Sequence, residues 1–180
     1  MAHQRVGEGQ QLAARGVSIS GQDYACSDAC FLPLKPGDKP IPCTPVTKAK
    51  VGDVLQVKLS IVAPTDLYYV MVEDPIPAGT EAVDTSLRTT SQIGEAPQLN
   101  AADKYSYYGG WGWWWFTQTE LRDEKVALFA TYLPAGSYEY TYQVRAGMSG
   151  TFNVIPAHAE EMYFPEVMGR SDGSTFVIEK

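Results

Sequence analysis

The sequence predicts an all-β chain folded as an antiparallel β-sandwich of about seven to nine strands. Three observations point to this class. Several segments alternate apolar and polar residues with a period of two, as half-buried strands do. No segment sustains a 3.6-residue apolar period. Clusters of Pro, Gly and Asp punctuate the alternating runs where turns would fall. With no internal repeat and no dividing linker, residues 16–180 are expected to form one domain behind a loose lead-in at residues 1–15.

Each element follows in order. Residues 1–15 are polar and contain Gly and Gln. Gly16-Val-Ser-Ile-Ser20 alternates and predicts a short strand. Prolines at 33, 36, 40, 42 and 45 crowd the stretch from Gly21 to Lys50. Proline lacks an N–H and fixes φ, so this stretch is expected to be irregular or to form a sheet edge. Over Val54–Val62, Leu55, Val57, Leu59 and Ile61 share one face, and Gln56, Lys58 and Ser60 the other. Ala63-Pro64-Thr65-Asp66 is a turn. Leu67–Glu73 is apolar on both faces and reads as a central strand, broken by Pro75, Pro77 and Gly79. Thr80–Ala102 is mixed and polar, with one helical turn expected near Ser86–Ser91, and Trp113–Leu121 reads as a strand. Val126–Leu133 would place Val126, Leu128, Ala130 and Tyr132 on one side. Ser137–Arg145 would place Tyr138, Tyr140, Tyr142 and Val144 on one side. The short Pro134-Ala135-Gly136 link between these two runs predicts a hairpin. Thr151–Ile155 and Ser174–Ile178 are the last strands.

Composition excludes several functions. The 14 basic and 21 acidic residues leave a net charge of −7 and no basic stripe, a poor match to a phosphate backbone, so no nucleic acid is expected. Apolar runs fall well short of the ~18 residues of a membrane-spanning helix, so no direct membrane insertion is expected. Of the two histidines, His3 sits in the lead-in, and His158 has no Gly-x-Ser-x-Gly elbow to partner. His158-Ala-Glu160-Glu161 lacks the His-Glu-x-x-His spacing, and a strand would aim its members in different directions. It reads as solvated charge at a strand end. No Gly-rich phosphate loop is present. The sequence thus predicts no catalytic residue, no metal and no cofactor. Cys26, Cys30 and Cys43 cluster without zinc-finger spacing, and either one local disulfide or three free thiols would suit them.

Two features carry surface chemistry. All four tryptophans, Trp111, Trp113, Trp114 and Trp115, lie in one short run, flanked by Tyr105, Tyr107, Tyr108 and Phe116. An extended chain would point Trp113 and Trp115 one way and Trp114 and Phe116 the other. Either the domain covers both sets, helped by Gly109, Gly110 and Gly112, or one set forms a docking face. A sugar-stacking platform is a third reading, and with it a cell-surface adhesion or glycan-binding module. The other feature is Ala159–Ser171, where Met162, Tyr163, Phe164, Val167 and Met168 are too many large apolar groups for a solvated loop. It either folds back on the sandwich or presents Met and Tyr to a partner.

Four stretches together resemble the bacterial alpha-2-macroglobulins: Tyr69-Val-Met-Val-Glu-Asp-Pro-Ile-Pro-Ala-Gly79, Thr119-Glu-Leu-Arg-Asp-Glu-Lys125, Tyr132-Leu-Pro-Ala-Gly136, and Pro156–Ser171 with its Glu-Glu-Met-Tyr-Phe-Pro-Glu-Val-Met-Gly-Arg core. The similarity covers about residues 45–180 and is to the C-terminal macroglobulin-like domain, the tenth in the usual count. It implies a fibronectin- or immunoglobulin-like sandwich within a longer exported protein, periplasmic or at the cell surface. That protein would trap proteases, with a thioester domain and other macroglobulin domains as this domain's partners. The start, Met1–Gln10, has no signal-type apolar core, consistent with a signal lying upstream. No cysteine here stands in the family's Cys-x-Glu-Gln thioester motif. The resemblance therefore implies a non-enzymatic domain that shields the thioester, with Met162 and Tyr163 as the shielding pair.

Overall fold

The computed structural model describes residues 17–25, 44–84, 98–101 and 118–180. The lead-in at 1–15 and the helical turn near 86–91 fall outside these residues. Among the described residues there are fourteen strands and no helix. The excess over the expected number comes from short pieces that single-strand periodicity does not register.

One sheet runs β2 (Thr44–Pro45), β1 (Ser18–Ala25), β4 (Val54–Ala63), β10 (Gly136–Ala146), β6 (Thr80–Ala82), with β7 (Gln98–Ala101) also paired to β10. The second runs β13 (Phe164–Arg170), β12 (His158–Glu161), β5 (Leu67–Pro75), β9 (Lys125–Leu133), β8 (Gln118–Leu121). A small third sheet orders β11 (Gly150–Val154), β14 (Ser174–Glu179) and β3 (Lys48–Lys50). The parallel β14–β3 contact is the exception to otherwise antiparallel pairing.

The inner faces meet as the period-two pattern requires. Leu55, Val57, Leu59 and Ile61 of β4 and Tyr138, Tyr140, Tyr142 and Val144 of β10 are buried. They join Val70, Val72, Val126 and Leu128 of the second sheet in one core. A polar contact crosses this core. The Tyr142 hydroxyl on β10 donates to the Asp74 carboxylate on β5 at 2.6 Å. Burial pushes the Tyr140 hydroxyl up to about 12, so this ring stays neutral in the interior. Between the sheets, β1 also approaches β13 so closely that a Cβ on Gly169 would stand 1.7 Å from the Val17 carbonyl oxygen.

Several expectations need correction. The runs on either side of Pro134–Gly136 do not pair with each other. Strand β9 lies in the second sheet between β5 and β8, and β10 lies in the first beside β4. The link is an arch between layers. Asp66 fixes it by accepting the Ala135 N–H and the Tyr132 O–H, each at 2.8 Å. The Tyr138 hydroxyl donates back to the Pro134 carbonyl at 2.6 Å, in the manner of a tyrosine corner. The stretch from Gly21 to Lys50 is not irregular from its start, because β1 runs on to Ala25 along β4. The polar stretch Thr80–Ala102 contributes β6 and β7. The stretch Ala159–Ser171, for which the sequence predicts no strand, supplies most of the β12–β13 hairpin.

Candidate functional site

The β12–β13 hairpin builds an exposed tip at one end of the second sheet. On β12, Ala159 and Glu161 point inward and His158 and Glu160 are half-buried, an alternation that fixes the strand's orientation. The chain then reverses through Met162 and Tyr163 into β13. Between Glu160 and Glu161 the register jumps. Glu160 faces Met168, but Glu161 faces Phe164, so Pro165, Glu166 and Val167 have no partner across the ladder. Such a bulge suits Pro165, which cannot donate to a ladder, on a strand at the edge of its sheet.

The tip is held from β5. The Met162 N–H donates to the Tyr69 carbonyl at 2.9 Å. The Tyr68 N–H donates to the Glu161 carboxylate at 2.6 Å. The Tyr163 ring stands edge-on to Tyr69, centroids 5.0 Å apart and planes at 86°, the geometry that an aromatic quadrupole favours. Alongside, Tyr68 and Tyr132 lie 5.2 Å apart across the β5–β9 pair. Met162 is 48 % exposed and Tyr163 68 %. Tyr68, Tyr69, Tyr132 and Phe164 are exposed as well. Aromatic and thioether groups thus stand exposed together along this end of the sheet, more apolar surface than scattered single residues would give. The Asp66 carboxylate anchors the Tyr132 side of the patch. The Ala135 N–H, and after it the Tyr132 hydroxyl, hold this carboxyl below its ordinary value.

The sequence-predicted pair Met162 and Tyr163 is thus brought together and oriented outward. Trp111, Trp113, Trp114 and Trp115, and Cys26, Cys30 and Cys43, lie outside the described residues. His158 and Glu160 approach on one face, 3.6 Å apart, while Glu161 turns inward. No group of three His, Cys, Asp or Glu able to hold a metal occurs among the described residues. Sequence reasoning missed Tyr68, Tyr69 and Tyr132. It grouped Tyr132 with Val126, Leu128 and Ala130 on one side of its strand and read Leu67–Glu73 as a central strand apolar on both faces. Both strands instead expose two successive residues, Tyr68–Tyr69 and Thr131–Tyr132. The available signal was the tyrosine pair itself, flanked by the aliphatic Leu67 and Val70.

Comparison with known proteins gives a consistent picture. The family model for the bacterial alpha-2-macroglobulin MG10 domain matches residues 34–166. The chain is 27 % identical over 172 residues to the alpha-2-macroglobulin of Thermotoga maritima, covering 95 % of this chain and 10 % of that protein. It is 29 % identical over 136 residues to an alpha-2-macroglobulin homolog of Nostoc sp., covering 76 % of this chain and 6 % of that one. The chain therefore spans a tenth or less of the length of these relatives. Its fold resembles part of Escherichia coli alpha-2-macroglobulin activated by porcine elastase, with a TM-score of 0.65 at 18 % identity over 93 % of this chain and 13 % of that chain. A similar likeness holds to Salmonella alpha-2-macroglobulin reacted with methylamine, with a TM-score of 0.61 at 17 % identity over 93 % of this chain and 9 % of the other.

Proposed function

The chain belongs to the bacterial alpha-2-macroglobulin MG10 domain family, and on that premise we propose that it is the non-catalytic C-terminal macroglobulin-like domain of a protease-trapping protein. In this reading the domain packs against a thioester domain of the same protein, beside other macroglobulin domains, and keeps water from the reactive bond. The parent is an exported protein of the periplasm or cell surface, and its target proteases meet this domain only through the parent. One observation carries the reading. Met162 and Tyr163 occupy a hairpin tip that is exposed and yet tied down by a backbone hydrogen bond and a ring contact. A thioester persists only where water and amines are excluded. A thioether adapts to an irregular surface and an aromatic ring covers area at little entropic cost, so the pair suits a dry lid.

The test is calorimetric binding of this chain to the thioester domain of a close relative. Wild type should bind saturably, and the variant carrying Met162→Ala and Tyr163→Ala should bind at least ~10-fold more weakly, the loss of two central anchors. In the parent protein, the double variant should react faster with methylamine. Equal binding by wild type and variant would sink the lid. Glycan binding by a chain that ignores the thioester domain would transfer the function to the tryptophan run.

A further inference from the structure

Tyr69 is the one non-glycine residue with positive φ among the described residues, at 53°. This left-handed region is costly for a bulky side chain, and a strained residue persists only where its surroundings over-determine it. The surroundings here all concern the hairpin tip. A regular strand would send Tyr68 and Tyr69 to opposite faces. The left-handed turn at Tyr69 leaves both outside, while Leu67 and Val70 stay in the core. The ladder with β9 pairs Tyr68 with Tyr132 and Val70 with Ala130 and skips Tyr69. On the other side, the Tyr69 carbonyl still accepts the Met162 N–H, and its ring lies edge-on to that of Tyr163. Glycine or asparagine would adopt this φ more readily. A tyrosine gains nothing in backbone energy at this position, and what it adds is the ring.

We infer that Tyr69 is a positioning residue: its strained backbone sets an exposed ring that holds Tyr163 in its outward, ordered pose for the partner surface. Glu161 completes the device by fixing the preceding amide, since its carboxylate accepts the Tyr68 N–H from a site only 8 % exposed. The inference rests on the proposed lid role of the Met162–Tyr163 tip, but its structural half can be read on this chain alone.

The deciding variants are Tyr69→Gly and Tyr69→Asn, which accept the left-handed φ without the ring, and Tyr69→Phe, which keeps the ring. Three measurements are made on each: thermal midpoint, the NMR shifts of the Tyr163 ring, and affinity for the thioester domain of a relative. Tyr69→Gly and Tyr69→Asn should keep or raise the midpoint, move the Tyr163 ring shifts toward those of a free tyrosine, and weaken binding by about two- to tenfold, the worth of one edge-on pair. Tyr69→Phe should match wild type in ring shifts and affinity. A purely structural Tyr69 would instead lower the midpoint and binding together. Unchanged Tyr163 shifts in both ring-less variants, or a Phe variant that behaves like Gly, would overturn the positioning role. Wild type that shows ordered Tyr163 shifts but no affinity for the thioester domain would overturn the lid reading and leave the ring contact standing.

Discussion

Replacing Tyr142 by Phe should destabilise the domain through the loss of its hydroxyl's bond to Asp74. The Tyr142 hydroxyl is the donor in a 2.6 Å hydrogen bond that crosses the core from β10 to Asp74 on β5. Asp74 is 7 % exposed, so water cannot substitute freely for the missing donor. The substitution keeps the ring and its packing and removes only the O–H. Hydrogen bonds to charged groups are worth about 1.5–3 kcal/mol, and the buried oxygen left behind keeps its desolvation cost. A loss of about 2 kcal/mol follows, and for a domain of this size it lowers the thermal midpoint by about 4–8 °C. The assay is urea unfolding followed by far-ultraviolet circular dichroism of the strands, with the midpoint shifted and the slope unchanged if the native surface is preserved. Tyr138→Phe is the internal comparison. Its hydroxyl donates to a neutral, part-buried carbonyl and should cost about 1 kcal/mol. A double-mutant cycle with Asp74→Asn should return a coupling of about 1 kcal/mol or more. Tyr142→Phe within about 0.3 kcal/mol of wild type, a difference typical of inert surface changes, would refute the reasoning and mean that the two sheets are not joined by this bond.

Two further outcomes are expected. Gly169→Ala forces a Cβ to within 1.7 Å of the Val17 carbonyl oxygen. Because the obstacle is backbone, β1 or β13 must move, and the cost should reach about 3 kcal/mol, seen as a lower midpoint and faster amide exchange along β1; a midpoint equal to wild type would show that the strands part freely. Asp66→Asn removes an acid whose carboxyl is held below its ordinary value of 3.8 by the Ala135 N–H and the Tyr132 hydroxyl. A depressed folded value contributes stability above the unfolded value and loses it as pH falls through the folded one. Wild type should therefore lose stability on acidification below about pH 4 more steeply than the Asn variant, which pH-dependent thermal melts will read, and parallel curves would contradict the assignment.

The sequence made the faces of strands legible but not their partners. Leu55, Val57, Leu59 and Ile61, and Tyr138, Tyr140, Tyr142 and Val144, announce their burial through a period of two, which is a local signal. Whether β9 and β10 pair or part is decided elsewhere. The contact that splays them is made by Asp66, 69 residues before Ala135, and no window around Pro134–Gly136 contains it. The tip shows the same division. Met162 and Tyr163 stand out because a run with Phe164 and Met168 is too apolar for a solvated loop. Tyr69 does not stand out, because a left-handed tyrosine contradicts local preference. Tertiary contacts with β12 override that preference, and positions of this kind tend to mark functional or strained sites.

The position of the patch follows from how the chain changes layers. Two arches, Ala63–Asp66 and Leu133–Gly136, stand side by side at one end of the sandwich, since Ala63 pairs with Gly136 and Leu67 with Leu133. An arch must leave backbone groups unpaired by either sheet, and Asp66 satisfies one of them while also taking the Tyr132 hydroxyl. Tyr132 meets Tyr68, the Tyr68 N–H meets Glu161, and Glu161 precedes Met162. The exposed tip is therefore the last member of a chain of contacts rooted in the turns, not a free loop set on a sheet. Holding large apolar side chains in water at fixed positions lowers the ordering cost of a later contact, which is how a preorganised surface gains affinity without added area. It follows that loosening Asp66 should slacken the tip before it unfolds the sandwich. Amide exchange at Met162 in the Asp66→Asn variant, faster while the β4 amides keep their protection, is the expected sign, and equal acceleration at both would mean that the arch serves only the fold.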